Sequence, residues 1–140
     1  MRLAVVVNPD AGLGGKLGFK GSDGRAAEAR AAGAQDRAGP RMKICLEKLS
    51  ELARGPIEIL AWDGRMGGDW IPGEYTSTGK TPDTTDASST SEFIKAHSPD
   101  LFLYAGGDGT TRDIVEALED REIPLVGVPG GVKMHSGCFA

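Results

Sequence analysis

The sequence predicts an α/β fold, doubly wound around a mainly parallel sheet. Three observations predict it. Short apolar runs alternate with helix-spaced patterns along the chain, the order expected when crossovers join the strands of one sheet. The strand runs are continuously apolar, as in Leu3–Val7 and Leu101–Ala105, which marks strands buried on both faces. Gly-rich turns follow the first, third and fourth of these runs, and open α/β sheets bind ligands at the carboxyl ends of their strands.

The first strand is Leu3-Ala-Val-Val-Val7, and Asn8-Pro9 stops it. Residues 10–40 are rich in Gly, Ala, Arg and Asp, with almost no large apolar side chains. They read as a long functional loop running into a weak helix near Arg25–Ala34. Pro40 opens the next helix at its first turn. Met42, Cys45, Leu46, Leu49 and Leu52 keep helical spacing through Ala53, and Arg54-Gly55-Pro56 closes the element. Ile57–Trp62 is the second strand, ended by Asp63-Gly64, and a short helix precedes Trp70-Ile71-Pro72. Residues 72–91 hold Gly73, Gly79 and Pro82 among many Thr and Ser and read as a surface connection. Ser89 or Ser91 caps a helix that carries Phe93, Ile94 and Ala96 and stops before Pro99. His97 then reads as a surface residue at that helix end. Leu101–Ala105 is the third strand, Thr110–Leu118 a helix opened by a Thr cap, and Leu125–Val128 the fourth strand. From Pro129 to Ala140 another Gly-rich turn begins, and the stop there suggests a fragment.

Composition bounds the function. Hydrophobic residues are 39% and aromatics 6%, so the core is expected to be small and aliphatic. No apolar run approaches the length a bilayer requires, and no secretory signal follows Met1-Arg2. Neither a membrane nor a secretory route is expected. Cys45 and Cys138 alone make no disulfide framework, and reduced thiols suit a cytoplasmic protein. Net charge is −4. Residues 1–48 carry nine Lys/Arg against five Asp/Glu, but they are scattered rather than clustered. A nucleic-acid partner is therefore not expected.

Leu101–Val115 is the sharpest segment: a buried strand, a turn with Gly106, Gly107 and Gly109 around Asp108, then Thr110 opening a helix. A helix N-terminus there offers N–H groups and a positive dipole end to an anion. The glycines admit a phosphate close to the backbone. Asp108 suits a Mg²⁺ contact or proton transfer from an attacking hydroxyl. The second segment is Asn8 with Gly12, Gly14, Gly15 and Gly18. It lacks the third glycine, the helix and the acid spacing of a dehydrogenase fingerprint, so it reads as a loop covering a nucleotide. Gly73–Thr81 resembles a P-loop, but Glu74 stands where a Gly is needed and no apolar strand feeds it. The third segment runs from a strand into Gly130 and Gly131 and then Lys133, His135 and Ser136. Lys133 suits phosphate and His135 a ligand hydroxyl. His135 and Cys138 do not complete a zinc site, and no resident metal is expected.

Taken in order, Asn8-Pro-x-Ala-Gly-x-Gly14, Gly106-Gly-Asp-Gly-Thr110 and Gly130-Gly-Val-Lys-Met-His-Ser136 resemble the N-terminal domain of the ATP-NAD kinase family. The likeness is closest to its archaeal and bacterial branch that includes the acetoin-catabolism X protein. The Gly-Gly-Asp-Gly-Thr motif is shared with diacylglycerol and sphingosine kinases, whose superfamily has a Rossmann-like N-terminal domain. The resemblance implies transfer of a phosphoryl group from ATP with Mg²⁺, or from polyphosphate, to the adenosine-ribose 2′-hydroxyl of NAD. It places the motif acid on Asp108, as base or ribose ligand. Where better-known NAD kinases hold NAD with an Asn-containing motif, this chain has Lys133-Met134-His135. Family members also carry a C-terminal β-rich domain that joins subunits, so residues 1–140 are expected to be the nucleotide-binding domain of a homo-oligomer. A non-catalytic nucleotide-binding module and a lipid kinase stay open as alternatives.

Overall fold

The computed structural model describes residues 1–11 and 37–130. The expected helix near Arg25–Ala34 lies outside them. Five strands form one wholly parallel sheet: β1 (Arg2–Val7), β2 (Glu58–Asp63), β3 (Thr76–Lys80), β4 (Leu101–Gly106) and β5 (Leu125–Pro129). Their spatial order is β3-β2-β1-β4-β5. The described helices are α1 (Ala38–Leu52), α2 (Ala87–Ala96) and α3 (Asp108–Leu118), with a 3₁₀ turn at Gly68–Trp70.

Alternation along β1 divides the core. Leu3, Val5 and Val7 pack with Ala38, Met42, Leu46, Leu103 and Ala105 on the α1 face. Ala4 and Val6 pack with Phe93, Ile94, Phe102, Tyr104 and Ile114 on the α2/α3 face. Successive strand residues point to opposite faces, so a central strand with helices on both sides must be apolar throughout. The apolar run at residues 3–7 has that cause.

α1 begins at Ala38, two residues before Pro40. A proline is tolerated in the first turn because its missing N–H has no helical acceptor there. Met42 and Leu46 are buried, Cys45 and Leu49 half-buried, whereas Leu52 is 66% exposed and lies off the buried face. Burial pushes the Cys45 thiol up.

Three expectations are corrected. Residues 72–91 are not merely a connection, because they contain β3, an edge strand registered on β2 as Leu60↔Thr76 and Ala61↔Ser77. Its side chains are mostly exposed, so no apolar alternation announced it. α2 is capped by Asp86, not by Ser89 or Ser91. The Asp86 carboxylate accepts from the Ser88 and Ser89 amides, and the Ser89 hydroxyl accepts from the Asp86 amide. That is a capping box, with Ser89 as its second member. The Ser88 hydroxyl, then the Ser89 and Ser88 amides, hold the Asp86 carboxyl below its ordinary range. His97 does end α2, but it is buried. Its Nδ1 donates to the Phe93 carbonyl at 2.6 Å, which leaves Nε2 to meet the Thr78 hydroxyl at 2.7 Å. The ring stacks on Phe93 with centroids 4.1 Å apart.

Candidate functional site

The strand order reverses between β1 and β4. The chain moves outward through β1, β2 and β3, then returns to place β4 beside β1. At such a switch point the loops leaving adjacent strands diverge and open a crevice at the carboxyl edge. Register aligns Val7 with Ala105 and Gly106 with Pro129. The carboxyl ends of β1, β4 and β5 therefore lie side by side. Of the residues expected at the site, Asn8, Gly106, Gly107, Asp108, Gly109, Thr110 and Gly130 meet at this edge. Gly12, Gly14, Gly15, Gly131, Lys133, His135 and Ser136 lie outside the described residues.

The β4-to-α3 turn is built by close approach. The Gly130 amide donates to the Gly106 carbonyl at 2.9 Å. A Cβ on Gly106 would stand 2.5 Å from Thr110 Oγ1 and 2.6 Å from its Cβ. One on Gly130 would meet the Gly106 backbone at 3.0 Å and the Ala38 Cβ at 3.1 Å. At Gly106 the neighbour already fills the space of a side chain, and at Gly130 a side chain would fit only if the backbone beside it gave way by a few tenths of an ångström.

α3 starts at Asp108 rather than Thr110, and its N-cap is Gly107 with no side-chain cap. The expected Thr cap is thus corrected: Thr110 stands inside the first turn, facing β1. Its Oγ1 accepts from Asn8 Nδ2 at 2.9 Å. Asn8 is anchored by its own amide, which donates to the Ala105 carbonyl at 2.9 Å. Thr111 clamps the other side of the same turn. Its hydroxyl meets the buried Tyr104 hydroxyl at 2.6 Å and donates to the Gly107 carbonyl at 3.1 Å. One threonine ties α3 to β1 and the next ties it to β4. Asp108 and Gly109 lie half-buried at the lip, on a helix start whose dipole end is positive.

Other edge residues were not singled out by the sequence. Asp10 accepts from the Thr85 hydroxyl at 3.2 Å, joining the turn after β1 to the approach to α2. Arg41 Nη1 donates to the Pro129 carbonyl at 2.8 Å and ties α1 to the end of β5. Asp63 ends β2, where a dinucleotide fold would hold a ribose acid, but here it is occupied otherwise. Its Oδ1 accepts from the Tyr75 hydroxyl at 2.6 Å. The Val7 amide donates to the Met66 carbonyl at 2.8 Å, so the turn after Asp63 crosses over the end of β1. Tyr75, then Ser77, holds the Asp63 carboxyl below its ordinary range.

Among the described residues no group of three or more His, Cys, Asp or Glu is placed to hold a metal ion. Mg²⁺ is commonly held by one or two carboxylates together with substrate phosphates, and Asp108 fits that mode. None of the described helices is long and apolar enough to cross a membrane.

No curated protein matches the chain. The sequence model of the ATP-NAD kinase N-terminal domain matches residues 3–140. The five-stranded parallel, doubly wound architecture agrees with that domain, and a kinase-type function acting on small-molecule nucleotides follows at the level of the family. With its three motifs in order along nearly the whole length, the chain belongs to the ATP-NAD kinase family as an N-terminal domain.

Proposed function

We propose that the β1/β4 crevice binds ATP and NAD and transfers a phosphoryl group to the adenosine-ribose 2′-hydroxyl of NAD. One observation carries the reading: the turn at residues 106–110 sits at the switch point with Gly106 packed too closely for a side chain and an acid at the helix lip. Phosphoryl transfer depends on positioning and charge neutralisation more than on covalent chemistry. The parts present suit that division of labour. The first turn of α3, clamped by Thr110 and Thr111, receives the negative charge of the phosphates. Asp108 accepts the proton that the ribose hydroxyl loses as its oxygen forms the bond to phosphorus and ADP departs. Mg²⁺ arriving with ATP would neutralise phosphate charge and would be held by Asp108. Gly12, Gly14 and Gly15 would cover the nucleotide, and Lys133, His135 and Ser136 would complete the acceptor side.

Calorimetry on the full chain with ATP·Mg²⁺ and with NAD tests the reading. Binding of both supports it. Binding of ATP without any NAD-dependent turnover favours the non-catalytic module, and turnover with diacylglycerol in place of NAD favours the lipid kinase. Binding of neither nucleotide removes the proposal.

A further inference from the structure

Thr85 stands outside every motif of the sequence, in the polar stretch ahead of α2, yet it heads a line of hydrogen bonds into the crevice. Its hydroxyl donates to Asp10 Oδ2 at 3.2 Å. The Asp10 amide donates to Asn8 Oδ1 at 3.1 Å. Asn8 Nδ2 donates to Thr110 Oγ1 at 2.9 Å, and Thr110 lies against Gly106. The line joins the approach to α2, the turn after β1 and the first turn of α3.

Each link fixes the next by donor and acceptor type. A flipped Asn8 amide would set Nδ2 against the Asp10 N–H, two donors face to face. The position of the Asp10 backbone therefore decides which end of Asn8 reaches Thr110. The Thr85 hydroxyl holds Asp10 from the outer side, donating to a carboxylate oxygen at 3.2 Å. Asp86, not Thr85, caps α2, so the hydroxyl is not required to start that helix.

We propose that Thr85 is a positioning residue for the nucleotide crevice, acting through Asp10 and Asn8 on Thr110 and the first turn of α3. The proposal rests on the nucleotide-binding reading above and deepens it by assigning the segment before α2 to the same site. Thr85 touches no reacting atom. It sets where the α3 amides stand when a phosphate arrives.

Thr85→Val removes the hydroxyl at nearly constant shape, and Thr85→Ser restores it. Two measurements on the full chain separate the proposal from the reading beneath it. In nucleotide-free protein, amide hydrogen exchange in Thr85→Val should rise at residues 8–11 and 108–111, while Thr85→Ser follows the native pattern. By calorimetry, ATP·Mg²⁺ affinity should fall about fivefold in Thr85→Val, as expected for one weakened link, and return in Thr85→Ser. Adding Asn8→Ala to Thr85→Val should bring less than the product of the two single losses, because both cut one line. Where Thr85→Val does not fold, Thr85→Ala takes its place. Faster exchange confined to residues 83–88, or native ATP affinity in the valine variant, overturns the proposal. If native protein binds neither nucleotide, the reading has failed, and the exchange data still show whether the line of bonds exists. The positioning role falls in that case as well.

Discussion

Gly106→Ala puts the packing argument at the crevice to a quantitative test. The new methyl would lie 2.5–2.7 Å from Thr110 Oγ1, Cβ and Cγ2. Thr110 is 5% exposed and has little room to retreat. The strain is steric rather than conformational, since the positive-φ glycines among the described residues are Gly64 and Gly79. Overpacking of this kind costs about 1–3 kcal/mol. Moving Thr110 also breaks its bond from Asn8, about 1 kcal/mol more. The expected destabilisation is therefore about 2–4 kcal/mol. Gly55→Ala is the internal control, because nothing lies within 4 Å of a Cβ there. It should leave stability unchanged or raise it by about 0.5 kcal/mol. Urea unfolding of both variants at constant m gives the two differences. A loss under about 0.5 kcal/mol for Gly106→Ala would refute the claim that Thr110 is wedged against the turn.

Three further outcomes follow from single contacts. Thr111→Val leaves the buried Tyr104 hydroxyl without its 2.6 Å partner and should cost about 1–3 kcal/mol. Adding Tyr104→Phe to it should recover part of that loss, and a double-mutant cycle by urea unfolding measures the coupling. Glu119 ends α3 with φ 54° and ψ −118°, a backbone region glycine tolerates best, so Glu119→Gly should stabilise by about 1 kcal/mol, read as a raised Tm. The Asp63 carboxyl titrates below its ordinary value, chiefly through the Tyr75 hydroxyl and then Ser77. A depressed carboxyl contributes stability above its unfolded pKa and loses it as pH falls through the folded value. Tyr75 is raised by the same bond, and its contribution is present below its unfolded pKa and lost as pH rises through the folded value. Tyr75→Phe should flatten both limbs of a Tm–pH profile, below about pH 4 and above about pH 10; unchanged limbs would remove the bond from the account.

The inner strands were legible because burial on both faces leaves no room for polar residues, and Leu3–Val7 and Leu101–Ala105 show it directly. β3 was not, because an edge strand with exposed Thr, Ser and Lys carries no apolar period. The helix start at Asp86 was obscured by serines that are themselves good caps, and only the reciprocal bonds decide between them. That a turn at Gly106-Gly107 joins the strand to a helix was readable from the residues alone, but the helix start at Asp108 was not. The bonds that hold it were not. Asn8 and Thr110 are 102 positions apart and Asp10 and Thr85 are 75 apart, and one sequence contains no record of such pairing. His97 was misplaced for the same reason, since its partner Thr78 sits on the strand the sequence concealed.

Asp108 is the residue on which the chemical reading turns, and turnover in the complete protein tests it most directly. NADP formed from ATP·Mg²⁺ and NAD would be followed with an NADP-specific dehydrogenase, in native protein and in Asp108→Asn. Asparagine keeps the size of the side chain and removes its negative charge, and with it the ability to accept a proton and to neutralise a cation. The account predicts ATP-dependent NADP formation in native protein and a loss of about 100-fold or more in the variant, with the variant still folded. Near-native turnover in Asp108→Asn, or no NADP formed by the native protein, would contradict it.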